Sequence, residues 1–293
     1  MANLKEVRTR IQSVKSTQQI TKAMKMVAAS KLRKAQDAIV QMRPYVQKLG
    51  GIMRNASANL DGEQRSPYSV DRIAEKVLIV VITSDRGLCG AFNTNVIKAT
   101  LATVRERYDH QSQQGNVWYM PLGKKAYDFF TKRGYQVIDD YYHIFHELSF
   151  DKAREIAGFA MDAFLDGKFD RVEIVYNEFK NVATQILKVE QFLPVVPAEY
   201  DEETATTDYI FEPSVKEIIE ELIPISLKVQ LYNALLESNA SEHGARMTAM
   251  GQATENAGEL LNSLKLVYNR TRQAAITKEI LEIVGGAEAL GKN

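Results

Sequence analysis

Two seven-residue repeats, one near each end of the chain, constrain its fold more than any other feature. The first seam reads Leu4, Val7, Ile11, Val14, Gln18, Thr21, Lys25, Ala28, Leu32, Ala35, Ile39, Met42, Val46, Leu49, Met53 and Ala56. Thirteen of these sixteen positions are apolar, the pattern of a helix that buries one stripe against a neighbouring helix. Asn3 reads as the N-cap, with Glu6 three residues on in a capping-box arrangement. Pro44 is expected to kink the helix locally. Through Ala56 such a helix is roughly 80 Å long.

The second seam follows Pro224 and reads Val229, Asn233, Leu236, Ala240, His243, Met247, Met250, Thr254, Ala257, Leu261, Leu264, Tyr268, Thr271 and Ala275. Helix propensity stays high to Val284, where Gly285 and Gly286 are expected to end the helix. Neither helix buries its stripe alone, so the two pair with each other or with another chain. Antiparallel pairing places Leu4 opposite roughly Val267, and Gln18, Thr21 and Lys25 opposite Thr254, Gly251 and Met247. Everything beyond Tyr268 then overhangs as a single helix for about 25 Å. That overhang carries Ile276, Ile280, Ile283 and Val284 on one stripe. Exposing such side chains costs about 1.5–3 kcal/mol each, so something else is expected to sheathe them.

Between the seams, strand and helix patterns alternate. Lys76–Thr83 is a continuous β-rich run, as for a strand buried on both faces. A glycine-containing turn leads to a helix near 94–108, a strand at 117–122 and a helix at 124–132. A third extended segment at 135–144 and an amphipathic helix at 150–165 follow, and strands at 171–179 and 184–192 close the series. The alternation predicts a small α/β sheet domain. Asp61–Pro67 and the acidic stretch Glu199–Asp208 read as linkers.

The net charge is zero, but Met1–Lys34 holds nine basic residues and one acidic, whereas Glu199–Glu221 holds nine acidic and one basic. Such asymmetry fits partner-directed surfaces and solvated helix faces alike. One cysteine, Cys89, allows no internal disulfide and fits a reducing compartment. One Cys and four scattered His (His110, His143, His146, His243) build no four-ligand zinc pattern. The longest apolar run, Val77–Ile82, is far too short to span a bilayer.

Candidate chemistry is sparse. Gly286–Lys292 matches GxxxxGK, but Asn293 stands where a Ser or Thr belongs, and the motif follows a helix rather than a strand. The turn Thr83–Gly90 offers Ser84, Asp85, Arg86 and Cys89 where α/β folds place ligands. No histidine lies close in sequence to activate the cysteine, so a tight turn using Gly87 and Gly90 is the plainer reading. His143 and His146, three apart in a strand, fall on opposite faces. The basic N-terminal helix carries its charge all round and has no aromatic residue before Tyr45, which argues against a nucleic-acid surface.

The segments STQQITKAMKMVAASKLRKAQ (16–36), TSDRGLCGAFN (83–93), ARMTAMGQATENA (245–257) and LVYNRTRQAAITKEILEIVGGAEAL (266–290) resemble, in order, the γ-subunit family of F-type ATP synthases. The resemblance covers nearly the whole chain. It implies an antiparallel coiled coil of the two terminal helices with a Rossmann-like α/β middle domain. The expected organisation is a coiled-coil helix at 1–58, the α/β domain at 70–200 and a second coiled-coil helix at 210–293. The implied function is that of a non-catalytic rotor. It stands in the hexamer of α and β subunits, its foot meets the ε subunit and the ring of c subunits, and its rotation couples ion flow to ATP synthesis or hydrolysis.

By the same resemblance, Met24 and Lys25 fall at the neck facing moving β-subunit loops, with Ile20 and Val27 beside them. Arg272, Gln273 and Thr277 match an upper contact with the hexamer, and the Ile276, Ile280, Ile283 and Val284 stripe matches a tip held in an apolar sleeve. No cofactor and no metal are implied, membrane contact comes only through the complex, and the expected place is the cytoplasmic face of a bacterial cell membrane. Cys89 alone cannot form the redox pair that photosynthetic relatives carry. The alternative is an α/β nucleotide-binding enzyme dimerised by helical arms.

Overall fold

The computed structural model describes residues 4–58, 66–195 and 215–290. Helix α1 runs Leu4–Ala58 and contains Pro44. The middle series is β1 (Val77–Ile82), α2 (Phe92–Arg107), α3 (Asp109–Gln113), β2 (Val117–Leu122), α4 (Lys124–Lys132) and β3 (Gln136–Val137). It continues with α5 (Phe150–Leu165), β4 (Arg171–Phe179) and β5 (Gln185–Leu193), and α6 (Val215–Leu290) ends it. The expected N-cap at Asn3, the linker residues 61–65 and 199–208, and the end of the GxxxxGK match lie outside the described residues. The chain divides into two compact units, one of residues 1–28 with 247–293 and one of residues 29–246.

In the larger unit the five strands take the order β3-β2-β1-β4-β5. β1 pairs in parallel with β2 and β4, β2 in parallel with β3, and β5 returns antiparallel to β4. Every residue of β1 is buried, because both faces of the sheet are covered. Leu78, Val80 and Ile82 face a cluster that holds Ile156, Ala160 and Phe164 of α5 together with Leu227, Leu231 and Leu235 of α6. Val77, Ile79 and Val81 face Val96 and Val104 of α2 and Ala126 and Phe130 of α4. The alternation of side chains along one strand thus feeds two separate cores.

Helix α6 starts at Val215, within the expected 210–293 span, and contains Pro224. Three expectations need correction. The helix passes through Gly285 and Gly286, neither of which takes the left-handed conformation that ends a helix. The extended segment at 135–144 pairs over Gln136–Val137 only, then coils into a 3₁₀ turn at Ile144–His146. In that turn residues three apart eclipse, so the His143 and His146 rings lie 5.0 Å apart on one side, not on opposite faces.

One buried carboxylate stands inside the α2 side of the sheet. Glu173 on β4 is 1 % exposed, and its Oε1 accepts from the Tyr108 hydroxyl at 2.5 Å and from Arg107 Nη1 at 3.1 Å. Burial, and then that hydrogen bond, push the Tyr108 hydroxyl's pKa well above its ordinary value. Tyr108→Phe removes a charge-assisted donor and leaves the carboxylate short of partners, an expected loss of about 1.5–3 kcal/mol. Trp118 is the chain's single tryptophan and packs edge-on to Phe169, so its fluorescence reports this unit's unfolding. An unchanged Trp118 transition in Tyr108→Phe counts against the assignment.

Candidate functional site

In the smaller unit α1 and α6 pair along the two seams. Val7 and Ala28 are buried on α1, as are Met250, Ala257, Leu261 and Leu264 on α6. Leu4, Ile11 and Val14 are half-buried beside them, as are Tyr268 and Thr271. Midway the seam turns polar. The hydroxyls of Thr21 and Thr254 meet at 2.8 Å, and Gln18 Nε2 donates to the Thr254 carbonyl at 3.4 Å. Glycines allow this approach: a Cβ on Gly258 would stand 3.1 Å from Gln18 Nε2, and one on Gly251 would stand 3.5 Å from Lys25 Nζ.

This polar rung sharpens the register. Gln18 does meet Thr254, as the seam count gives, but Thr21 meets Thr254 and not Gly251, and Lys25 lies by Gly251 and not Met247. The α6 partners of Thr21 and Lys25 are thus about one turn further along than counted. The last half-buried seam residue is accordingly Thr271, and from Arg272 to 287 every residue is exposed. Ile276, Ile280, Ile283 and Val284 are 47–71 % exposed along this free stretch. Arg272, Gln273 and Thr277 lie on it too, with the Thr277 hydroxyl donating to the Gln273 carbonyl.

Met24 is half-buried, and Lys25, although it falls on the seam, is exposed, its ammonium running over Gly251. Ile20 and Val27, one heptad apart, are each more than half exposed, as is Met26, which the seam count did not single out. Gln18, Lys22, Lys25, Met26, Gly251 and Thr254 line a groove of about 480 Å³ beside them. The neck and tip residues therefore lie at two separate places on the helix pair.

The larger unit holds the other candidate, the turn after β1. Its left-handed residues are Leu88 (φ +64°) and Gly90 (φ +60°), not Gly87. Cys89 is buried, and burial raises its thiol pKa. Asn93 ties the turn together: its Oδ1 accepts from Ser84 N at 2.9 Å, and its Nδ2 reaches Cys89 Sγ at 3.2 Å. Where an α/β fold presents amides to an anion, this chain supplies its own acceptors. Thr83 Oγ1 takes the Ala126 amide at 3.0 Å and Asp85 Oδ1 takes the Lys124 amide at 3.1 Å. The crevice at the strand ends is thus filled by the protein itself, which removes support from the nucleotide-enzyme alternative. The His143–His146 pair borders it, with Asp85 Oδ2 3.7 Å from His146 Nε2. Among the described residues no group of three or more His, Cys, Asp or Glu is placed to hold a metal.

Helix α6 crosses beside that turn. Arg246 Nη2 donates to the carbonyls of Arg86 at 2.8 Å and Gly87 at 3.2 Å, while Nη1 pairs with the Glu242 carboxylate. Sequence reading missed this pair, whose one signal is the i,i+4 Glu–Arg spacing in SEHGAR. Burial raises the Glu242 pKa. Burial, then Arg246 and Lys31, lower that of His243 to about 4. A histidine held neutral in the fold but titrating near 6.5 when unfolded takes up its proton preferentially in the unfolded state. Its contribution is present above about pH 6.5 and is lost as pH falls toward 4. His243→Gln is expected to flatten the loss of stability over that window relative to the natural chain, followed by Trp118 fluorescence. Equal slopes would refute it.

A family described as ATP synthase matches residues 3–290 of the chain. The ATP synthase gamma chain of Cytophaga hutchinsonii is 58 % identical over 293 residues, covering 99 % of each chain. That of Flavobacterium psychrophilum is 56 % identical over 291 residues, again covering 99 % of each. Among solved structures, a rotor chain of the Euglena gracilis mitochondrial ATP synthase aligns with a TM-score of 0.64 at 25 % identity, covering 93 % of this chain and 98 % of that one. A second Euglena gracilis structure, of the OSCP/F1/c-ring assembly, gives a TM-score of 0.66 at 26 % identity over 98 % and 94 % of the chains. The fold, paired end helices and a covered mixed sheet, is shared with chains of these ATP synthase rotor assemblies. The chain belongs to the ATP synthase gamma-chain family.

Proposed function

We propose that this chain is the rotor subunit of an F-type ATP synthase. It turns inside the hexamer of α and β subunits and couples ion flow through the ring of c subunits to ATP synthesis or hydrolysis. It is not itself catalytic: the relatives that share its full length carry the gamma-chain name. The observation that carries the reading is the α6 end, whose apolar stripe is bare from Arg272 onward, past Thr271, the last half-buried residue of the seam. Such a stripe is costly in water and calls for an apolar sheath, which a hexamer axis supplies.

On this reading Ile276, Ile280, Ile283 and Val284 bear on the sleeve, and Arg272, Gln273 and Thr277 on the hexamer just below it. Met24 and Lys25 face the moving β-subunit loops at the neck, where the exposed Ile20 and Val27 and the adjoining groove support a contact. The ε subunit and the c ring take the foot. No described helix is long and apolar enough to cross a membrane. On this reading the chain meets the membrane through the complex, at the cytoplasmic face of the cell membrane. The test is reconstitution of α, β and this chain, with a bead fixed to the sheet domain. ATP-driven stepwise rotation is expected. A chain that does not associate with the hexamer, or associates without turning, would sink the proposal.

A further inference from the structure

The rotor reading requires that torque applied to the sheet domain enter α6 without slippage, and the structure shows where α6 is fastened to that domain. One fastener is Glu237, whose carboxylate accepts from the Phe179 amide at 2.9 Å at the end of β4. Close by, Gly244 lies under the Phe179 ring, where a Cβ would stand 3.3 Å from the ring. The other fastener is Arg246. It holds the turn after β1 through the Arg86 and Gly87 carbonyls and is itself held by Glu242. The side chains of Arg246 and Glu242 are only 11 % and 10 % exposed, so little solvent screens the contact.

Glu237 and Arg246 are nine residues apart on the helix, about 13 Å along its axis. Glu237 grips the end of β4 and Arg246 the turn that follows its neighbour β1. A helix held at one point can swivel on its support, whereas one held at two separated points cannot. The chemistry suits a fastener. A guanidinium is planar and permanently charged, and it serves the carboxylate and two carbonyls at once, which an ammonium cannot do in the same geometry. The turn it grips is stiffened from the other side by the Ser84–Asn93–Cys89 contacts. It is also bent at Leu88 into a left-handed conformation that non-glycine residues hold only when their surroundings enforce it.

We infer that Arg246 is a positioning residue for rotary coupling, a latch that locks the β1 turn onto α6 so that rotation of the sheet domain is delivered to the helix. The inference rests on the rotor reading. Its test compares the natural chain with Arg246→Ala, Arg246→Lys and Glu242→Gln in the whole ATP synthase reconstituted into phospholipid vesicles. Two quantities are read, amide exchange over 84–92 and the ratio of gradient-driven ATP synthesis to ATP hydrolysis.

Arg246→Ala is expected to speed exchange of the Ser84 and Phe92 amides about tenfold, because both are protected by contacts within that turn. It is expected to lower the synthesis-to-hydrolysis ratio about threefold or more. Arg246→Lys should recover part of both effects, which a general loss of stability would not. Unchanged exchange, or faster exchange with an unchanged ratio, overturns the latch. If Arg246→Ala does not assemble, Glu242→Gln, which keeps the guanidinium but weakens its anchor, must show the same two effects in smaller measure, and no change there overturns it equally. A natural chain that assembles but does not couple sinks the rotor reading instead. The exchange measurement on the free chain still decides whether Arg246 holds the turn.

Discussion

Gly123→Ala is expected to unfold the sheet domain at temperatures where the natural chain is stable. Gly123 leads from β2 into α4 with φ +124°, a region closed to residues with a side chain. A Cβ there would stand 2.1 Å from the Thr83 carbonyl oxygen and 2.6 Å from its carbon. Those are backbone atoms of the strand-end turn, fixed by the Thr83 amide bonding the Leu122 carbonyl at 2.9 Å. Nothing flexible can yield, so the sheet has to part where β1 and β2 meet.

Strain and overlap together should cost about 4 kcal/mol or more. For a unit of this size that lowers the melting temperature by about 10 °C or more. Gly90→Ala is the control. Gly90 also has positive φ, but a Cβ there meets nothing within 4 Å, so its cost should stay near about 1 kcal/mol. Trp118 fluorescence follows both. Equal, small shifts in the two variants would show that the Gly123 contact relaxes and that the argument is wrong.

Leu261→Asp should do the reverse, dissolving the helix pair while sparing the sheet. Leu261 is 8 % exposed on the α6 seam of the smaller unit, which has few large buried side chains to share the loss. Removing it forfeits about 2–5 kcal/mol of burial and packing, and the aspartate brings a charge with no partner into an apolar seam. Far-ultraviolet helicity should fall markedly while the Trp118 transition stays within a few degrees. An unchanged helical signal would mean that the seam is not what orders this stretch of α6.

The seams were legible because their information is periodic and local. Each apolar position from Leu4 to Leu49 carries its own evidence, and burial follows the count at Val7, Ala28, Leu32, Ala35, Ile39 and Leu49. The strands were equally readable where both faces are covered, and 117–122 and 171–179 fall where the pattern places them. Glycine misled at α6 because it ends a helix only in context. Pro224 sits within the first turns of a helix braced by Ile223 and Leu227 in the core, and Gly285 and Gly286 simply keep helical dihedrals.

The candidate site was legible only in part. The bare tip follows from counting a register, although its start moved to Arg272 once the Thr21–Thr254 contact set the partners. The Arg246 latch joins residues 160 apart, and the Thr83–Gly123 approach joins residues from different strands. Neither leaves a periodic trace. Leu88 was overlooked because a leucine with positive φ is a property of the surrounding turn and not of the residue.

The pairing of the two ends also bears on how the protein is made. Gln18 meets its α6 partner across 236 residues of chain, so α1 emerges first from the ribosome and its partner last. At about 5–20 residues per second, roughly 10–50 s pass between the two. Throughout that interval the apolar stripe of α1 has no mate, and the sheet also waits for Leu227, Leu231 and Leu235 of α6 to complete one of its two cores. The newborn chain therefore carries two apolar surfaces, the α1 stripe and the α5 face of the sheet, that only the last part of the chain covers.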